Sequence, residues 1–222
     1  MKTAAMKKIF LIPAVLTALV LCSTHALAQE TSDAGQINIL ENGQIDGLTE
    51  WVIVGVADKP ENNYVKEQIL AYDANESHGS DWSGSLKIGN IDLKNGFKPW
   101  QAWRHRDILI EPGATYAISV WVKTADMPKT ANVYLGFGFK SEDNKWLTGW
   151  IPGSPEKNSI DHRTSLWIDK TKGTHDWVEL TGTVTAPKDA VKIGYLQARV
   201  DNIISAPEAK VWFDDFKIVK VK

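Results

Sequence analysis

Tyr116-Ala117-Ile118-Ser119-Val120-Trp121-Val122-Lys123 is the stretch that decides the fold. Side chains on a strand point to opposite faces in turn, so Ile118, Val120 and Val122 share one face and meet a core. Glu111-Pro112-Gly113 just before it is turn chemistry, and Asn42-Gly43, Asn95-Gly96 and Pro152-Gly153 punctuate the chain in the same way. Between such turns, β-branched and aromatic runs recur at Ile37–Leu40, Trp51–Ala57, Val65–Tyr72, Leu86–Ile91, Ala102–Ile110 and Ala131–Phe139. The series continues with Lys145–Ile151, Ser165–Ile168, Trp177–Thr185, Val191–Val200 and Lys210–Val221. No stretch sustains a period of 3.6, so many short strands and tight turns predict an all-β antiparallel sandwich or barrel.

The chain has 222 residues, 43% hydrophobic and 23% charged, which is globular composition and excludes a disordered or fibrous chain. Lys7 and Lys8 precede the apolar run Ile9–Leu21, and Ala26-Leu27-Ala28 follows as an A-x-A site. This reads as a signal peptide over 1–28, cleaved after Ala28, on a secreted or periplasmic protein. Thirteen apolar residues are too few to span a bilayer. Cys22 is the sole cysteine and lies inside that segment, with Leu21 where a lipoprotein anchor wants a small residue, so the mature chain is read without disulfide, thiol chemistry or lipid. Residues 29–36 read as a flexible leader and 37–222 as one domain. Once Lys2, Lys7 and Lys8 are gone, 22 basic side chains face 27 acidic ones, a balance that disfavours nucleic acid as a partner.

No G-x-S-x-G elbow, H-E-x-x-H or P-loop is present. Gly136-Phe137-Gly138 falls inside a strand pattern and reads as close backbone approach on a sheet, not as a dinucleotide loop. His78, His105, His162 and His175 have no ligand spacing, and His105 is of interest only as part of the polar run Arg104-His105-Arg106.

Four segments in order resemble one family. They are Asn42-Gly43-Gln44-Ile45-Asp46-Gly47 with Trp51, then Pro112-Gly113 with Tyr116, Ser119, Trp121 and Lys123, then Trp177 through Thr185-Ala186-Pro187, and last Val211-Trp212-Phe213-Asp214-Asp215. Together they are similar to the jelly-roll carbohydrate-binding modules of families 4, 9, 16 and 22. The resemblance implies a single-domain sandwich that binds polysaccharide without cutting it. It also implies a structural calcium held by Asp46 and one of Asp214 or Asp215, the alternative being solvated carboxylates at strand ends. Calcium wants six to eight oxygens. Asp46 stands where the family usually has the longer Glu, and the turn around His78-Gly79 is expanded.

Ten tryptophans are the unusual feature of the composition. A sugar presents apolar C–H faces and a hydroxyl rim, so its site needs flat aromatic rings and forked polar groups. Trp51, Trp121, Trp177 and Trp212 fall where the resemblance already places core aromatics. Trp82, Trp100, Trp103, Trp146, Trp150 and Trp167 do not. Gln101, Trp103 and His105 point one way on a strand, as do Tyr195, Gln197 and Arg199 opposite Leu196, Ala198 and Val200. The expected glycan site is therefore Trp100, Gln101, Trp103, Arg104, Trp146, Trp150, Tyr195, Gln197 and Arg199, with the arginines leaving an acidic glycan open. The competing readings are a lyase or hydrolase on the same scaffold and a surface adhesin.

Overall fold

The computed structural model describes residues 37–55, 69–79, 83–91, 100–147, 165–167, 173–202 and 206–222. Its strands are β1 (Trp51–Gly55), β2 (Leu70–Asp73), β3 (Ser85–Ile91), β4 (Gln101–His105), β5 (Ile108–Leu109), β6 (Thr115–Met127), β7 (Asn132–Lys140), β8 (Ser165–Trp167), β9 (Gly173–Thr185), β10 (Lys192–Asp201) and β11 (Ala206–Lys220). They form two antiparallel sheets, ordered β1-β4-β10-β7-β8, with β5 also on β10, and β2-β3-β11-β6-β9. The architecture is an antiparallel sandwich, one of the two forms that the alternation predicts, and agrees with the jelly roll that the resemblance implies. The readings of a signal peptide over 1–28 and a leader over 29–36 lie outside the described residues, as do Trp82 and Trp150.

Ile118, Val120 and Val122 of β6 are all buried, together with Leu86 and Ile88 of β3 and Val211 and Phe213 of β11. Facing them from the first sheet are Trp103 of β4, Val133, Leu135, Phe137 and Phe139 of β7, and Leu196, Ala198 and Val200 of β10. Each fully buried large apolar side chain contributes about 1.5–3 kcal/mol relative to exposure, and period-2 alternation collects them without any helix. The Trp103 indole N–H crosses the sandwich and donates to the Lys87 carbonyl at 3.0 Å.

Two expected runs take a different form. Ala102–Ile110 splits into β4 and β5: the Arg106 N–H donates to the Glu50 carbonyl at 3.1 Å, in register with the β1 ladder, and Ile108 and Leu109 then pair with β10 alone. Ile37–Leu40 is not a strand of its own and pairs with β11 by the Asn38↔Val219 bridge. There the Asn38 amide donates to the Phe216 carbonyl (3.1 Å) and accepts the Ile218 N–H (2.9 Å), fastening the start of the domain to its last strand.

Candidate functional site

The outer face of the first sheet is built by the side chains that its core alternation leaves over. On β10 these are Tyr195, Gln197 and Arg199, and register places Gln197 between Arg104 and Gly136 and Arg199 between Ala102 and Tyr134, while Tyr195 lies opposite Gly138. Gly136 leaves room that a side chain would fill: a Cβ there would stand 3.3 Å from the Tyr134 ring and 4.0 Å from the Tyr195 ring. The close approach expected at Gly136-Phe137-Gly138 is thus an approach of tyrosine rings over bare backbone.

At one end of this face the Arg199 guanidinium carbon lies 4.2 Å from the Trp100 ring centroid and 5.6 Å from that of Tyr134. Its Nε donates to Asp201 Oδ1 at 2.7 Å and its terminal nitrogen to Oδ2 at 3.2 Å. The Tyr134 hydroxyl donates to the same Oδ2 at 2.8 Å. Burial pushes that hydroxyl well above the usual phenol range and the Asp201 charge adds to it, so Tyr134 stays a neutral donor. At the other end Tyr195 and Trp146 meet with ring centroids 5.3 Å apart, and the Lys140 ammonium sits 4.3 Å over Trp146. Gly194 permits that reach, since a Cβ there would stand only 2.6 Å from the Lys140 stem. Between the two ends, Arg104 donates to the Gly194 carbonyl at 2.8 Å. Four residues of extended chain separate Arg199 from Tyr195, about 13 Å.

The structure brings Trp100, Arg104, Trp146, Tyr195, Gln197 and Arg199 to this one face, each half-buried. Two expected members are corrected. Trp103 is 1% exposed and its ring belongs to the core, so it offers no surface for stacking. Gln101 is likewise 1% exposed, with neither amide atom hydrogen-bonded among the described residues. The trio Gln101, Trp103 and His105 does share a face, but that face is the interior. His105 is buried, its two ring nitrogens lying 2.9 Å and 3.0 Å from the carbonyls of Arg106 and Glu41, and it ties β4 to the first turn. Trp167 is described by its backbone alone, which pairs with Tyr134. Tyr134, Lys140 and Asp201 are members that the sequence reading missed. The signal for Tyr134 was present, because Tyr134, Gly136 and Gly138 alternate with Val133, Leu135, Phe137 and Phe139.

Among the tryptophans assigned to the core, Trp51 and Trp212 are buried, whereas Trp121 and Trp177 are only half-buried on the second sheet. The His78 ring stacks on Trp121 with centroids 3.7 Å apart and meets Trp177 at 5.8 Å. That stack covers the carboxylates proposed for calcium. On β11 Asp214 still pairs with Trp121, and a register shift between Asp214 and Lys217 leaves Asp215, at φ 49°, in a bulge. Asp214 Oδ2 accepts the His78 backbone N–H at 2.7 Å, Asp214 Oδ1 accepts the Asp215 N–H at 2.7 Å, and Asp215 Oδ2 lies 2.7 Å from His78 Nδ1. Burial pushes the Asp214 carboxyl up to about 7, against these donors. Asp46 is exposed in the first turn. Among the described residues no group of three or more His, Cys, Asp or Glu side chains gathers to hold a metal ion. Asp214 and Asp215 are thus engaged by His78 and by the backbone as a hydrogen-bonded latch.

No protein-family model matches the chain, and no curated protein sequence matches it. Solved structures do. The enzymatically active domain of tailspike protein 4 of bacteriophage CBA120 superposes with a TM-score of 0.54 at 11% identity, over 83% of this chain and 22% of that one. An arabinose-bound α-L-arabinofuranosidase superposes at 0.52 and 14% identity, over 85% of this chain and 27% of the enzyme. The chain therefore spans about a quarter of either protein. A family 16 carbohydrate-binding module is covered over 99% of its length and 82% of this chain, at 15% identity and a TM-score of 0.46. Carbohydrate-binding modules of families 61, 4 and 22 are also among the similar structures. At 11% and 14% identity, the likeness to the tailspike and arabinofuranosidase structures is one of fold alone, an antiparallel β-sandwich.

Proposed function

We propose that the protein is an exported, non-catalytic module that binds a polysaccharide on the outer face of the β1-β4-β10-β7-β8 sheet. The observation that supports this most is the face itself: aromatic rings at both ends, bare glycine backbone between them, and the Gln197 and Arg104 side chains in the middle row. Tyr195 and Trp146 supply one apolar wall, and Trp100, half-buried beside the buried Tyr134, supplies the other. Gln197 and Arg104 meet hydroxyl rims, since both project polar forks from adjacent strands.

The charges on the face favour a neutral glycan over a uronate polymer. Arg199 is already paired with Asp201, and Lys192 with Asp107 at 2.7 Å, the latter 3.9 Å from Arg104. A guanidinium satisfied by its own carboxylate gains little from a ligand's carboxylate. The same pairing supports a non-catalytic reading, because Asp107 and Asp201 are held by cations and are not poised as general acid and base. No helix among the described residues is long and apolar enough to cross a membrane. Titration with neutral oligosaccharides, read by tryptophan fluorescence, tests the proposal. A saturable shift that Tyr195→Ala and Trp146→Ala weaken supports it. An unmoved spectrum with every neutral glycan overturns it.

A further inference from the structure

We propose that Asp201 is a positioning residue for this face: its carboxylate fixes Arg199 and Tyr134 and, through Arg199, the plane of the Trp100 ring. The inference rests on the glycan-binding reading and adds to it a residue that need not touch the sugar. Both Asp201 oxygens are engaged, Oδ1 by Arg199 Nε at 2.7 Å, and Oδ2 by the Arg199 terminal nitrogen at 3.2 Å and the Tyr134 hydroxyl at 2.8 Å. The fork and the carboxylate are 16% and 23% exposed, so the pair is screened from water on most sides. Held this way, the guanidinium carbon lies over the Trp100 ring, 4.2 Å from its centroid.

Backbone also comes close to Trp100. Gly55 sits at φ 123°, and a Cβ there would stand 3.3 Å from Trp100 Cε3. The indole thus neighbours a glycine on β1 and a guanidinium on β10, and Trp100 itself lies just ahead of β4. One neighbour is set by chain conformation and cannot move alone. The other is a long side chain held by both oxygens of Asp201, one of which the Tyr134 hydroxyl shares. Loss of the carboxylate frees that side chain, and a ring that must be ordered on binding weakens the complex.

The test combines affinity electrophoresis with indole N–H spectra of tryptophan-labelled protein, in which Trp100→Ala assigns the Trp100 peak. Asp201→Asn is expected to weaken binding about tenfold, the scale of a lost charge-assisted hydrogen bond, and to shift or broaden the Trp100 peak while that of buried Trp103 stays in place. In the Trp100→Ala background the same change should add little further loss, because the two residues act as a unit. Arg199→Lys keeps the charge but loses the fork, and it should reproduce both effects, so the test stands if Asp201→Asn folds poorly. An unmoved Trp100 peak in both variants overturns the inference, as does an equal loss of affinity with and without Trp100. If the peak moves while wild type is retarded by no glycan, the brace is real and the binding proposal fails.

Discussion

Gln101 has almost no water-facing surface and, among the described residues, no hydrogen-bond partner for its amide. A buried polar group without a partner is destabilising, while an apolar side chain of similar volume at the same place is not. Gln101→Met is expected to raise the free energy of unfolding by about 1 kcal/mol, read as a higher denaturant midpoint at unchanged slope. A lower midpoint would mean that the amide makes a bond that stabilises the fold. Trp103→Ala is expected to cost about 3–5 kcal/mol, since it empties the middle of the core and removes the link to the Lys87 carbonyl. These two residues also mark where the sequence falls short at this scale. Alternation says that Gln101, Trp103 and His105 share a side, but Ala102 and Arg104 make an equally plausible outer or inner pair. Only the pairing of β4 between β1 and β10 selects the side, and that pairing joins residues nearly a hundred positions apart. On β10 the apolar set Leu196, Ala198 and Val200 was unambiguous, so Tyr195, Gln197 and Arg199 were legible as outward.

The last strand shows what one bulge does to an element. Asp214 and Asp215 look in sequence like two adjacent acids at a strand end, a natural cation site. With the irregularity between Asp214 and Lys217 beside them, both carboxylates instead meet the turn at 74–79, where His78 engages them and stacks on Trp121. A bulge depends on the partner strand's register, which local sequence does not encode, and that is why Trp121 was taken for core. The latch makes stability depend on pH. Burial raises the Asp214 carboxyl to about 7 in the folded protein, against about 3.9 in the unfolded chain. The folded state therefore binds this proton more tightly. Its stabilising contribution is complete below about pH 4 and is lost as pH rises through about 7. Melting temperature is expected to fall over that window in wild type, and Asp214→Asn should flatten the contribution. A rise in the Asp214-dependent part across the same window would reverse the assignment. Calcium gives an independent check on the latch. Chelator and millimolar calcium are expected to give the same melting temperature, whereas a calcium-dependent rise would mean that Asp214 and Asp215 leave His78 for the ion.

At the scale of the molecule, the two sheets divide the labour. On the second, Trp212 donates to Asp73 of β2 at 3.0 Å, Lys123 pairs with Glu76 of the following turn at 2.9 Å, and Trp121 and Trp177 are half-buried beside His78. The first keeps Trp100, Tyr195, Gln197, Arg199 and Trp146 half-exposed on its outer face. The sandwich itself was legible in the sequence, because nearly every β-branched run became a strand and no helix-period pattern competed. Which face is dressed for a ligand was legible only in part, since Tyr134, Lys140 and Asp201 join it through register across β7 and β10. Affinity electrophoresis of wild type and Tyr195→Ala through gels containing a panel of neutral and acidic polysaccharides tests the binding account most directly. The account predicts retardation of wild type by at least one neutral polysaccharide, weakened about tenfold in Tyr195→Ala, with the polymer left at full length. Migration unaffected by every polysaccharide, or retardation that Tyr195→Ala leaves unchanged, would contradict it.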